Sequence, residues 1–200
     1  MTSTAAPVVV DTPHGPARVT RHDADEPRAL LLLGHGAGGG ITAPDLLAAT
    51  RVALEAGVSV GLVEQPYRVA GRRAPAPAAQ LDAAWLAVVK AQRDGLPLLF
   101  GGRSSGARVA FRTATEGGAI GVLCLAFPEH PPGRPEKTRL PELESPTVPI
   151  LVVQGANDPF GVPAPVGNRA VVVLRGDHSL KSDMPGLRAA VAAWLPLVLA

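Results

Sequence analysis

A serine that attacks a carbonyl needs a base to take its proton, an acid to hold that base, and donors to receive the charge that develops on oxygen. The chain offers a candidate for each. Ser104 sits in Gly102-Arg103-Ser104-Ser105-Gly106, a G-x-S-x-G pattern directly after the apolar run Leu96-Pro97-Leu98-Leu99-Phe100 and before a helix-compatible segment. That is the setting of a nucleophile elbow, in which a strand turns sharply into a helix and the hydroxyl is held out at the turn. The glycines let strand and helix approach, and the helix aims free N–H groups and its positive dipole end at whatever the serine attacks. With 22 glycines and seven serines in 200 residues, about 0.08 such patterns are expected by chance, so the partners must be sought elsewhere.

In a parallel α/β sheet they should follow strands immediately. The apolar run 148–153 is followed by Gln154-Gly155-Ala156-Asn157-Asp158-Pro159-Phe160-Gly161, which places Asp158 in a tight loop. The run 170–174 is followed by Arg175-Gly176-Asp177-His178-Ser179-Leu180, which places His178 just beyond a sheet end. The chain order Ser104, Asp158, His178 is the one this type of triad requires. For the oxyanion, one donor is the N–H of Ser105, and the other is expected in the loop after the run 29–33, at Ala37 with Gly38 as second choice. Asp177 is the rival acid, but it adjoins His178, where the two side chains should diverge. His35 is read as structural, positioning the oxyanion loop, and Arg103 as pairing with a carboxylate below the site. Each residue also has an ordinary reading: a serine in a glycine turn, an Asp-Pro turn former, a surface histidine. Gly34, Gly36 and Gly39 satisfy G-x-G-x-x-G with Glu64 closing the next strand, but a dinucleotide site would leave the elbow and its ordered partners unexplained. His14, His22 and His130 have no company at metal spacing, so neither metal nor cofactor is expected.

His35-Gly36-Ala37-Gly38-Gly39, Gly101-Gly102-Arg103-Ser104-Ser105-Gly106, Asp158-Pro159-Phe160 and Gly176-Asp177-His178-Ser179 together resemble the small cap-less α/β-hydrolases of the dienelactone-hydrolase-like branch. More closely, they resemble a family named after a testis-expressed protein and related to a subunit of a histone acetyltransferase complex. The resemblance runs from about residue 28 to 198. It implies a single-domain α/β-hydrolase fold, a mostly parallel sheet with helices on both faces and no cap domain. Ser105 and Ala107 stand where the family motif more often has Met and Gly. Dienelactone hydrolases carry a cysteine nucleophile where this chain has Ser104, so their substrate does not transfer. The nuclear relatives act as scaffolds, so the alternative function is a non-catalytic interaction module that retains the fold.

The elements that must position these residues are legible as alternating strands and helices. Val8–Val10 and Ala17–Thr20 read as an edge hairpin within an N-terminal part, 1–27, ahead of a catalytic core, 28–200, all in one domain. Strands are expected at 29–33, 58–63, 96–101, 119–125, 148–153 and 170–174, and helices at 43–56, 78–93, 105–116 and the C-terminus, where Met184, Leu187, Val191, Trp194 and Val198 mark one face. Residues 154–169 leave room for little more than one helical turn. A 46% hydrophobic chain with only 4% aromatics implies an aliphatic core.

The expected activity is a serine hydrolase acting on an ester-like bond, thioesters and amides included, of a small acyl substrate. Acyl transfer or perhydrolysis would use the same residues and differ only in the entering nucleophile. Loops 64–77 and 126–147 edge a shallow site and carry Arg68, Arg72, Arg73, Arg134, Lys137 and Arg139, a rim suited to a carboxylate or phosphate or, equally, ordinary solubilising charge. Tyr67, Arg68 and Arg73 are the candidate substrate contacts. A net charge of +2 gives no footprint for nucleic acid. No apolar run is long enough to span a membrane, and Met1 to Pro7 shows no secretory pattern. With Cys124 as a lone, buried thiol, a cytoplasmic location is expected. The oligomeric state is not readable from the sequence.

Overall fold

Leu30 to Leu33 show how the chain builds its two layers. All four side chains are fully buried. Leu30 and Leu32 join one apolar cluster and Leu31 and Leu33 the other, because successive strand residues point to opposite faces. A strand that buries both faces must be covered on both, and each such leucine contributes about 1.5–3 kcal/mol of burial.

The computed structural model describes residues 6–200, so the reading of Met1 to Ala5 as free of a signal segment lies outside the described residues. The strands are β1 (Val8–Val10), β2 (Ala17–His22), β3 (Ala29–Gly34), β4 (Val58–Glu64), β5 (Leu98–Arg103), β6 (Ala119–Leu125), β7 (Ile150–Gly155) and β8 (Arg169–Leu174). They form one eight-stranded sheet in the order β1-β2-β4-β3-β5-β6-β7-β8. The β1–β2 and β2–β4 pairs are antiparallel, and all others are parallel. Helices α1 (Pro44–Glu55) and α6 (Met184–Val198) cover one face, with Leu46, Val52, Leu187 and Val191 in its core. Helices α3 (Ala78–Gln92) and α4 (Ser105–Gly117) cover the other, with Trp85, Val88, Val109 and Phe111.

The expected elements are present, with three informative differences. The strand expected at 96–101 is β5 at Leu98–Arg103, and that expected at 148–153 is β7 at Ile150–Gly155. A proline causes each offset. Pro97 and Pro149 have no N–H to give the ladder, so each offers only its carbonyl, to Leu30 and Val122 respectively, and the strand starts one residue later. The loops 64–77 and 126–147 each hold one short helical turn, α2 (Pro66–Val69) and α5 (Leu140–Leu143), too brief for any periodicity to betray. Residues 156–168 form turns and no helix.

The chain reverses direction across β3: β4 lies on one side and β5 on the other. Helix α1, which follows β3, packs on one face, while α4, which follows β5, packs on the opposite one. The loops leaving these adjacent strands therefore part, opening the crevice in which α/β proteins bind their ligands. Both the glycine loop and Ser104 stand at that opening.

Candidate active site

The elbow is built by removing side chains. Gly34 lies beside Gly102 across the β3–β5 ladder, and the first turn of α4 presses on both. A Cβ at Gly102 would lie 2.6 Å from the Gly34 oxygen, and one at Gly106 would drive into the same carbonyl. Ser104 takes φ 51° and ψ −107°, a region disfavoured for any residue with a Cβ, at a cost of order 1–3 kcal/mol. The Ser104 N–H, bonded to the Leu125 carbonyl at 3.0 Å, pins the turn to β6. Its hydroxyl thus stands at the mouth of α4, exposed enough to be reached.

His178 and Asp158 arrive on two loops that are laced together. Ala156 N–H donates to the Leu174 carbonyl and Asn157 N–H to that of Gly176, both at 2.8 Å, and Gly155 faces the Asp177 carbonyl too closely for a Cβ. The result is one hydrogen-bonded chain. His178 Nε2 lies 2.9 Å from Ser104 Oγ, and His178 Nδ1 lies 2.7 Å from Asp158 Oδ2. Since the carboxylate can only accept, Nδ1 carries the ring proton and Nε2 is free to accept from the hydroxyl. The Asp158 side chain is fully buried. Its Oδ2 also accepts from Gln154 Nε2 at 2.7 Å and its Oδ1 from the Phe160 N–H at 2.9 Å. Phe160 packs against the imidazole, ring centres 4.4 Å apart.

The rival acid is otherwise engaged. Asp177 Oδ1 accepts from the Ser179 N–H at 2.9 Å and the Ser179 hydroxyl at 2.6 Å, and these bonds hold its carboxyl below the usual range. The structure therefore brings together Ser104, His178 and Asp158 and leaves Asp177 outside.

The glycine loop after β3 is held by its carbonyls. His35 accepts from the Gln65 N–H at Nε2 (3.1 Å), so its Nδ1 donates to the Gly36 oxygen (2.8 Å). Burial pushes the His35 pKa down, which keeps the ring neutral as this pattern needs. Tyr67 donates its hydroxyl to the Ala37 oxygen at 2.9 Å. In a trans peptide the N–H points opposite the carbonyl, so fixing these two oxygens also fixes the N–H groups of Ala37 and Gly38. Neither N–H has an acceptor among the described residues, and the Ser105 N–H, first in α4, has no helical one. The three amides named from the sequence are thus without an acceptor among the described residues. The dinucleotide reading does not survive: α1 starts only at Pro44, five residues beyond Gly39, and Gly34 serves the contact with α4.

The three expected substrate contacts, Tyr67, Arg68 and Arg73, are placed differently from one another. The Tyr67 hydroxyl donates to the Ala37 oxygen, so this residue braces the loop, and it also lines a cavity of about 230 Å³ with His14, Pro66, Val69, Arg72 and Leu81. Arg68 turns along its own loop to the Arg72 carbonyl, and Arg73 is exposed; neither lines that cavity. Of the second loop's cations, Arg139 points inward to the Pro128 carbonyl at 2.9 Å. Sequence reasoning missed Gln154, Tyr67 as a brace, and Asp45, which faces Arg103. A polar residue closing an otherwise apolar strand, as in Leu151-Val152-Val153-Gln154, was the visible signal for the first. Among the described residues, no three His, Cys, Asp or Glu side chains gather to hold a metal ion, and no helix is long and apolar enough to cross a membrane. Cys124 is fully buried, which pushes its thiol pKa well up.

Residues 27–186 match the family model described as an alpha/beta hydrolase domain, and the chain belongs to that family. Solved structures agree on the fold across nearly the whole chain. Est1E from Butyrivibrio proteoclasticus is 15% identical, with 97% of this chain and 99% of that one covered and a TM-score of 0.77. A serine hydrolase without a lid from Xanthomonas campestris is 21% identical, with 98% and 96% covered and a TM-score of 0.75. A dienelactone hydrolase from Anabaena variabilis is 18% identical, with 95% and 94% covered and a TM-score of 0.70. A search of curated proteins returned no significant match. The family match covers the alpha/beta hydrolase domain and the solved structures share its fold; none of them supports a link with a histone acetyltransferase complex.

Proposed function

We propose that the protein is a serine hydrolase of ester-like bonds, thioesters and amides included, in small acyl substrates. The observation that carries this reading is the continuous chain Ser104–His178–Asp158, with links of 2.9 and 2.7 Å, starting at a serine held at φ 51°. Ser104 Oγ attacks the acyl carbon while His178 Nε2 takes its proton. The N–H groups of Ser105 and Ala37, with Gly38 as the alternative second donor, receive the oxyanion. His178 returns the proton to the leaving group, which departs and leaves an acyl-Ser104 ester. Water, deprotonated by His178, attacks that ester, and the acid is released with the serine regenerated. Asp158 holds the ring tautomer and stabilises the imidazolium formed in both halves.

The segment between β6 and β7 supports an open, lidless site. It lies against the body, with Glu142 gripped by Arg108 and Arg112, and builds no cap. Tyr67 and the loop 64–77 edge this site, with Arg72 rather than Arg68 or Arg73 as the cation lining the neighbouring cavity. The lone buried thiol suits a reducing compartment, and we place the reaction in the cytoplasm. The test is a panel of acyl esters from short to long chains, assayed with wild type and Ser104→Ala. Est1E has been solved with ferulic acid bound, so a feruloyl ester belongs in the panel. Turnover that disappears in Ser104→Ala supports the reading. An inert wild-type protein that holds a stable partner would favour the interaction module instead.

A further inference from the structure

Arg103 precedes the nucleophile and takes no part in the proposed proton transfers, yet its guanidinium meets three other parts of the site. Nη2 donates to the His178 carbonyl at 3.1 Å, across 75 residues of chain. Nη1 lies so close to Gly36 that a Cβ there would come within 2.9 Å of it. Nε faces Asp45 Oδ2 at 3.0 Å, an approach of charges without the angle of a hydrogen bond. Asp45 sits in the first turn of α1 and is 1% exposed; its Oδ1 accepts from the Leu46 N–H. Burial pushes the Asp45 carboxyl up and the Arg103 charge opposes this. A buried carboxylate needs a partner, and here the partner is rooted beside the nucleophile.

We propose that Arg103 is a positioning residue, anchored by Asp45, that fixes the His178 loop and the Gly36–Gly38 loop relative to Ser104. Attachment to the same strand end as the serine is the point of the design. Any shift of the base or of the oxyanion donors is measured from Arg103's own backbone, and a misplacement near 1 Å can cost about 10²-fold in rate. A planar fork reaches several groups at once, whereas a lysine ammonium is a single point charge. The kinetic half of this proposal rests on the serine-hydrolase reading; the structural half does not.

The test compares Arg103→Met, Arg103→Lys and the double variant Arg103→Met/Asp45→Asn. Arg103→Met leaves Asp45 buried without a counter-charge, so its Tm falls. The double variant removes that charge and regains Tm, but its kcat stays roughly 10–100-fold low with KM little changed. Arg103→Lys restores Tm and only part of kcat. In the double variant, amide hydrogen exchange quickens in peptides covering 34–40 and 175–180 and is unchanged elsewhere. Wild-type kcat in the double variant would overturn the proposal, as would unchanged exchange in those two segments. If wild type shows no Ser104-dependent turnover, the hydrolase reading fails, and the exchange measurement still decides the role of Arg103.

Discussion

Replacing Asp158 by Asn changes one atom, and under the proposed mechanism it should nearly silence turnover. The carboxylate accepts three hydrogen bonds, from His178 and Gln154 at Oδ2 and from Phe160 N–H at Oδ1. Asparagine has one acceptor oxygen. If its NH2 takes the Oδ2 position, it meets the Gln154 NH2 and offers a donor to His178 Nδ1, so the imidazole must switch tautomer and can no longer accept from Ser104. If the NH2 takes the Oδ1 position, it meets the Phe160 N–H, and the tautomer is kept. In both orientations the negative charge that stabilises the imidazolium is lost, and no water can reach the buried position to replace it. The side chain cannot escape by turning Gln154, whose amide is also committed to both backbone groups of Phe127 and to the Gly161 carbonyl. The expected loss in kcat is up to ~10⁴, about 5 kcal/mol of transition-state stabilisation, with folding intact. Steady-state kinetics on the best ester of the panel, with circular dichroism as the folding control, measures it. Asp177→Asn should cost less than about tenfold, because that carboxylate serves Ser179. A small loss at Asp158 with a large one at Asp177 would refute the reasoning.

Tyr67→Phe removes the donor to the Ala37 carbonyl; it should cost about 1 kcal/mol of stability and roughly tenfold in kcat, with KM little changed, seen by thermal melting and kinetics. Gly106→Ala drives a methyl into the Gly34 carbonyl and within 2.8 Å of the His35 oxygen, with backbone on both sides unable to yield. It should destabilise by ~1–3 kcal/mol, each lowering Tm by roughly 2–4 °C. Burial pushes the Glu142 carboxyl up, but the hydrogen bonds and charges of Arg108 and Arg112 outweigh this and hold it below its ordinary value of 4.5. A depressed folded pKa gives stability that is present above that value and lost as pH falls through the folded one. Glu142→Gln should therefore melt below wild type at pH 7, and the gap should close as the pH is taken below about 4.5.

What could be read from the chain follows from what chemistry makes obligatory. The meeting of Ser104, Asp158 and His178 was legible because a serine, a carboxylate and a histidine that are to act together must be those residue types at strand ends, and the chain presents them there in order. The alternation of strands and helices was legible for a similar reason: Leu30 to Leu33, a short apolar run ending in a glycine cluster, reads as a strand covered on both faces. The misplaced strand starts came from prolines that extend an apolar run but give its ladder only a carbonyl. Tyr67, Gln154 and Asp45 were hidden because their value lies in what they touch, 30, 4 and 58 residues away, and only the folded chain creates those contacts. The cations of the two loops show the same dependence on the folded chain. Arg68 and Arg139 are charged in the sequence but turn to backbone carbonyls of their own loops.

The central claim is that Ser104 forms a covalent acyl intermediate. Fluorophosphonate labelling of wild type and Ser104→Ala, followed by peptide mass spectrometry, tests it without knowledge of the substrate. The account predicts one label on the peptide containing Ser104 in wild type and none in the variant. Equal labelling of both proteins, or labelling of neither, would contradict it.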